Sequence, residues 1–461
     1  MGKEEKASTH RNRTRWAIIS TFVIVTVTSC VAFVGKYHGA TASNQAIEIN
    51  ADHAVPELSF ANDGDPIAEW NETAERLSLT VSPTPAPVQQ TRLMAIVQVA
   101  VHDAVNGITG EYETYLPRIQ PPEGASPEAA AIAAAYRATS GLYGNGPFAQ
   151  LGGKTLSQVY TESMAAHNIS AGDTGLGYGE SAGAAILAVR AGDGAAQAQF
   201  PYDGPNTDAG TWRLLPGQTA LLAGWGNVQP FVIRSGSQFR ADAPPRLDSD
   251  VYTRDYNEIK EIGRSNSTTR TQLQSQIATF WRASPTAIWN PVALEALAAN
   301  DLDISTRARI LGLFYLAASD ASVVCWETKY FYNFWRPQSA IRNGDLDNNP
   351  DTESDTTWTP FVLTPPHPDY SSGHATNSSA MAHILEYAFG RDPKMTISVT
   401  LSGITREWST FDEAVNEVID ARVYSGIHFR NSDEVGARQG RQVAQFVLTH
   451  ALRPCKGRKC P

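Results

Sequence analysis

Hydrophobic positions recur along most of this chain at intervals of three and four residues, the period of one buried helix face. Between residues 91 and 108, Leu93, Ile96, Val97, Ala100, Val101, Ala104 and Val105 fall on a single stripe, with Pro87 ahead of it as a breaker. Residues 65–79 open with Asp65 at a capping position and Pro66 in the first turn, where a missing N–H is harmless. Residues 127–142 are rich in alanine, the strongest helix former. Helical patterns also fit residues 156–167, 178–191, 251–262, 268–281, 291–299 and 306–335. A further run follows Ser372 to Phe389 and Gly390, and another covers residues 413–421. Strand-like alternation is scarce, so the expected fold class is all-α, built as helical bundles.

Two stretches break the pattern. Residues 192–245 are rich in Gly, Pro and Trp with no sustained period, and a loop this long inside a compact domain is functional or a covering flap. It suggests a soft boundary between a first helical half, residues 63–245, and a second, residues 246–454, followed by a Cys-containing tail, residues 455–461. At the other extreme, Lys3, Lys6, Arg11, Arg13 and Arg15 precede a mostly apolar run from Trp16 to Gly35. That pairing predicts export, to the periplasm or outside the cell, through a signal peptide or an N-terminal membrane anchor helix. The run approaches the length that spans a bilayer, while Ala40-Thr41-Ala42 offers a small-residue cleavage site, so residues 1–42 are either removed or retained as an anchor. Residues 43–62 form a polar linker. Cys30 sits in a loose lipoprotein-like box, but the apolar residues after it argue against acylation there.

Composition narrows the function. A chain of 461 residues with 42% hydrophobic content buries a full core without help from disulfides. The net charge of −10 and a pI near 5.5, with no sustained basic stripe, exclude an ordinary nucleic-acid binder. An anionic substrate would need a local cationic cluster working against the overall field. Cys455 and Cys460 can pair in an oxidising compartment, and Cys325, within an apolar helical pattern, reads as a small core residue. No CxxC pair suggests zinc.

Three clusters carry chemistry. In the first, Lys329 and Arg336 stand seven residues apart, nearly two helical turns, which predicts that both project from one helix face. Pro337 is expected to end that helix and leave Arg336 in its last turn. The second cluster runs from Pro365 and Pro366 through His367 to Ser372, Gly373 and His374. Prolines hold the approach extended, either Ser371 or Ser372 can cap the following helix, and free N–H groups there can cradle an anion that Gly373 lets close to the backbone. His374 stands where a proton donor to that anion would be needed. The third is Arg422 with His428, and Asp433 five residues beyond. A guanidinium makes paired hydrogen bonds to tetrahedral oxyanions, and the histidine can ligate a metal or act as a nucleophile. Singly, each cluster also reads as ordinary: a snorkelling surface pair, a capped helix, a structural histidine. His102 and His383 sit in helical patterns and read as structural.

In order, Lys-x6-Arg-Pro, Ser-Gly-His and Arg-x5-His resemble the three-part motif of the type 2 phosphatidic acid phosphatase and vanadium haloperoxidase superfamily. Ser371 stands where the family usually has proline, Ala421 where it has serine, and Asp433 lies one residue beyond the usual aspartate. Trp326, Pro365, Pro366 and His367 are similar to the halide-pocket wall of the vanadium chloroperoxidases. Resemblance extends over roughly residues 90–450, more than a small acid phosphatase has, and favours the haloperoxidase type. It implies an all-α bundle fold in which vanadate is ligated by His428 and its oxygens are held by Lys329, Arg336, Ser372, the Gly373 N–H and Arg422. His374 would serve as acid and base toward hydrogen peroxide, Lys329 would polarise the bound peroxide, and a halide would be oxidised. Phosphate could occupy the same site. The runner-up is phosphomonoester hydrolysis of a small phosphoester through a phosphohistidine at His428; a helical binding protein without turnover is disfavoured because idle buried charges are costly.

Overall fold

Capping chemistry starts most of the helices. In the computed structural model, which describes residues 64–455 apart from 203, 205–207, 392, 394 and 395, helix α1 (Pro66–Thr80) begins where the Asp65 carboxylate accepts the Ile67 N–H at 2.9 Å. The N-terminal basic and apolar run, the linker 43–62 and Cys460 lie outside the described residues. Helices α2 (Pro87–Thr109), α3 (Pro127–Tyr143), α4 (Leu156–Ala166) and α5 (Thr174–Arg190) complete the first half, with Ser126, Thr155 and Asp173 as side-chain caps. Pro87 is not a breaker ahead of α2; it occupies the first turn.

The second half holds α6 (Asp250–Ile262), α7 (Gln272–Phe280), α8 (Pro285–Ala298), α9 (Ile304–Tyr332), α10 (Pro337–Arg342), α11 (Gly373–Phe389), α12 (Phe411–Tyr424) and α13 (Arg430–His450). Three starts and stops differ from expectation. Thr271 and Gln274 form a capping box, so α7 opens four residues later than the pattern suggests. Ser284 caps α8 with Pro285 in its first turn, which leaves Pro291 inside the helix instead of at its start. Helix α9 stops at Tyr332 because Asn333 turns left-handed (φ 50°) and returns its N–H to the Lys329 carbonyl at 2.8 Å. A small antiparallel hairpin, β1 (Ile397–Leu401) and β2 (Ile404–Trp408), was not expected; Ser402 and Gly403, both at positive φ, make its two-residue turn. The class stays all-α.

Helix α9 is the axis of the molecule. It is long and apolar enough to cross a membrane, but its most apolar stretch is buried inside the protein, as in a core helix. Helix α2 packs along it from the first half and α11 and α13 from the second. Helix α13 lies unusually close to α11: a Cβ on Gly440 would sit 2.0 Å from the Thr376 carbonyl oxygen, and one on Gly436 2.7 Å from that of Ser372.

The long loop, residues 192–245, lies over the end of α9. Its backbone donors find buried partners, as they must. The Asp320 carboxylate of α9 accepts the N–H groups of Phe231, Val232 and Ile233 at 2.6–2.9 Å. Trp212 donates to the Asn333 carbonyl at 2.8 Å, Trp335 to that of Gly210 at 2.9 Å, and Leu221 to that of Pro366 at 2.8 Å. The loop thus roofs the segment after α9 and the proline-rich approach to α11.

Candidate functional site

Lys329 lies in the last turn of α9 and is fully buried, its Nζ donating to the carbonyls of Pro368 and Asp369, both at 2.8 Å. Arg336 does not follow it on the same helix face. It caps α10 in extended conformation, with Pro337 starting that helix, and reaches the same place by a different path. Its Nε donates to the His367 carbonyl at 2.8 Å and Nη1 to the Ile427 carbonyl at 2.6 Å. Arg422, in the last turn of α12, donates Nη1 to the Trp281 carbonyl at 2.6 Å. Carbonyl dipoles satisfy these donors without cancelling their charge. In a dry interior the remaining attraction for an anion is strong.

Around these cations the predicted residues converge. His428 Nε2 is 3.1 Å from Arg336 Nη1, and His367 Nδ1 is 2.8 Å from Arg336 Nη2. The His367 ring packs at 4.9 Å on Trp326, whose indole donates to the Leu221 carbonyl of the roof at 3.3 Å. Gly373 packs against the same indole, where a Cβ would come within 3.2 Å of Cζ3. Pro365 and Pro366 hold this wall through their carbonyls, which accept the N–H groups of His367 and Leu221. His374 Nε2 lies 3.1 Å from the Ala283 carbonyl, so Nε2 carries the proton and Nδ1 keeps its lone pair. Burial, with Arg422 foremost among the cations, holds His374 well below the usual imidazole range; burial and Arg336 do the same to His367 and His428. Burial also lowers Lys329 to about 7, with Arg336 adding to the shift, and lowers Arg336 and Arg422 to about 10.

Ser372 does not cap α11 with its side chain, and Ser371 instead donates to Gln439 Oε1 at 2.7 Å. Arg422 Nε is buried without a hydrogen-bond partner, while Ser372 Oγ lies beside the Asp433 carboxyl. The first-turn N–H groups of α11, starting at Gly373, have no intrahelical acceptor either.

One residue was missed. Asp369, fully buried, places Oδ1 2.9 Å from His428 Nδ1 and 3.9 Å from Arg336 Nη1, and its Oδ2 accepts the Ser432 hydroxyl. The His428 contact is close but not squarely aligned, so neither atom has a full hydrogen bond. Burial raises Asp369 to about 6, against the pull of Arg336 and Lys329. Two signals pointed to it: a carboxylate in the proline-rich approach, and the absence of one at the usual distance after His428. Asp433 instead lies beside Ser372 and Arg422, fully buried, and burial and Asp369 push its carboxyl well up. His102 and His383 stay outside: His102 meets the Glu113 carbonyl at 3.0 Å and His383 meets Glu386 and Gln445. Cys325 is a free, buried thiol, and Cys455 is disulfide-bonded. No cluster of three or more His, Cys, Asp or Glu suited to a metal occurs among the described residues.

Fold and side chains together define an all-α protein with a buried cluster of cations and histidines. Residues 309–457 match the family model described as the VCPO second helical-bundle domain. Over 225 residues, 40% of this chain, the sequence is 25% identical to the vanadium chloroperoxidase of Curvularia inaequalis, and the match spans only 37% of that protein's length. The fold is similar to that of a bacterial vanadium-dependent iodoperoxidase (TM-score 0.71, 23% identity, 84% of this chain and 98% of that one). It is also similar to a holo-type bacterial vanadium-dependent chloroperoxidase (TM-score 0.62, 16% identity, 81% and 94%). The resemblance to vanadium haloperoxidases read from the motif is borne out, in the second helical domain and in the fold.

Proposed function

We propose that this protein is a vanadium-dependent haloperoxidase, oxidising halide with hydrogen peroxide at a vanadate held by His428. The observation that carries the reading is the convergence of three buried cations, Lys329, Arg336 and Arg422, the last with its Nε–H unpaired, on His428 and the Ser372–Gly373 start of α11. Those groups fit a tetrahedral oxyanion: Lys329, Arg336, Ser372, the Gly373 N–H and Arg422 would hold its oxygens, and His428 Nε2 would bond the metal. Bound vanadate supplies a Lewis acid that activates peroxide without changing oxidation state.

The chain's own residues do the rest. Cations fixed in advance by carbonyls stabilise developing negative charge without reorganising. Asp369 beside Nδ1 favours the tautomer with its proton there, so Nε2 keeps the lone pair that here accepts from Arg336 Nη1 and would bond the metal instead. His374, kept neutral by burial and by Arg422, offers Nδ1 as acceptor of a proton from hydrogen peroxide. Trp326 and the roofing loop keep bulk water out. His367, neutral and turned toward Arg336, adds a polar group to the halide wall, which favours bromide or iodide over chloride. Export fits the basic and apolar N-terminus, and the disulfide at Cys455 suits an oxidising compartment.

The test is a pair of assays on purified protein: peroxide-dependent halide oxidation with and without added vanadate, and phosphomonoester hydrolysis without it. Halide oxidation that appears only with vanadate is expected. Efficient hydrolysis with trapping of a phosphohistidine at His428, and no halide oxidation, would place the protein with the acid phosphatases.

A further inference from the structure

The first helical half holds a cavity of about 920 Å³ that shares no residue with the oxyanion centre. It lies among α2, α3 and α5, with Trp225 of the long loop on its wall. Half-exposed Leu93 and Leu187 give it apolar sides, while Arg92, Arg137, Arg190 and Asp193 also line it. Asp193 is fully engaged: Arg92 Nε and Arg190 Nη2 each approach at 2.7 Å, and the Ala195 N–H donates at 3.1 Å. The donors are not. Arg190 Nε and Trp225 Nε1 have no acceptor, although Arg190 is only 3% exposed and Trp225 only 1%. Arg137 is exposed and makes no ion pair or side-chain hydrogen bond among the described residues. Three cations thus face one committed carboxylate around an apolar chamber, in a protein whose net charge is −10. Unpaired buried donors occur elsewhere in the fold, at Trp289 and Trp408 for example; what sets Arg190 and Trp225 apart is that both line one cavity together with Arg92 and Arg137.

We infer that this cavity binds an amphiphilic organic acid. Its carboxylate meets Arg137 and the unpaired N–H groups of Arg190 and Trp225, and its hydrocarbon lies along Leu93 and Leu187. The volume is in the range of small-molecule sites, and mostly apolar walls with a few convergent donors are their usual make-up. The inference is independent of the oxyanion chemistry and stands whether or not that centre turns over.

Calorimetric titration of the full chain with decanoate, and with 1-decanol as the uncharged match, tests it. Saturable one-to-one binding of decanoate is expected, with decanol at least roughly tenfold weaker. Arg137→Ala, at an exposed position, should weaken decanoate roughly three- to tenfold. Trp225→Phe removes the unpaired donor while keeping a ring, and should weaken decanoate roughly fivefold. A purely structural Trp225 would shift the melting temperature and leave decanoate affinity unchanged. No saturable binding, decanol binding as tightly, or affinity indifferent to both substitutions would overturn the proposal.

Discussion

In the first helical half Arg92 and Arg190 both close on the Asp193 carboxylate at 2.7 Å, whereas in the second half Lys329, Arg336 and Arg422 donate chiefly to backbone carbonyls. Both arrangements satisfy hydrogen bonding for cations taken out of water. They differ in what is left over. A carboxylate neutralises its partner, so the Asp193 group spends much of its charge on internal cohesion and keeps only a few donors for a ligand. Carbonyls orient without neutralising, and the two buried carboxyls of the second group, Asp369 and Asp433, are pushed by burial toward their neutral forms, so its three cations keep more of their charge. Location alone therefore does not tell a structural arginine from a binding one; the nature of its acceptors does.

The comparison can be pushed from either side. Replacing Asp193 by Asn should strip the first group of its counter-charge and cost about 3 kcal/mol, the usual result of breaking a buried ion pair. Chemical denaturation would read it, and an unchanged midpoint would mean that carbonyls alone can hold those arginines. In the second group, His428→Ala should weaken vanadate retention roughly 100-fold or more, because a metal bond goes with the side chain. His374→Ala should keep the vanadium content and lose peroxidase rate; equal vanadium loss in both variants would show that the two histidines do not divide the work. Asp369→Asn should lower vanadate affinity roughly tenfold through the orientation of His428.

Lys329 gives a pH signature that the first group lacks. Held down to about 7 by burial and Arg336, it is charged below that value and neutral above it. Anion binding favours the charged form, so the affinity for sulfate, whose own charge is constant here, should fall as pH rises past about 7, by at most roughly tenfold per unit. Lys329→Gln should flatten the slope, and a slope that survives the substitution would assign it to another group. The smallest effect is expected at the halide wall. His367→Phe should raise chloride oxidation a few-fold relative to bromide, judged from steady-state rates with the three halides; an unchanged ranking would make His367 structural.

How far these features could be read in advance depended on whether local chemistry decided them. Helix α1 was legible because Asp65 and Pro66 settle its start within three residues. The end of α9 was not: Pro337 looked like the stop, but Asn333 turns the chain earlier, held there by the Trp212 N–H on its carbonyl and the Tyr202 hydroxyl on its side chain. Both partners come from the long loop, more than 120 residues away in the chain. Helix α13 hid behind a run of polar residues between Arg430 and Gln442 whose buried face is largely Ser, Gly, Asp and Gln. The site residues were visible as types and spacings. Their joining through Arg336, and the Asp369 partner of His428, belong to tertiary packing that no local pattern encodes.

The close approach of α13 to α11 carries a consequence for anyone redesigning the pocket. Ser372 and Asp433 face each other because hydrogen atoms, and not methyl groups, stand at Gly436 and Gly440. The tolerances of the centre are thus written in two positions that touch no ligand and hold no charge. A library confined to pocket-lining residues would vary the tools on a bench whose height is set elsewhere. Substituting Ala at 440 would push the helices apart by an ångström or so and detune the Ser372–Asp433 spacing without altering any pocket side chain, making that glycine pair the first thing to hold constant when new specificity is sought.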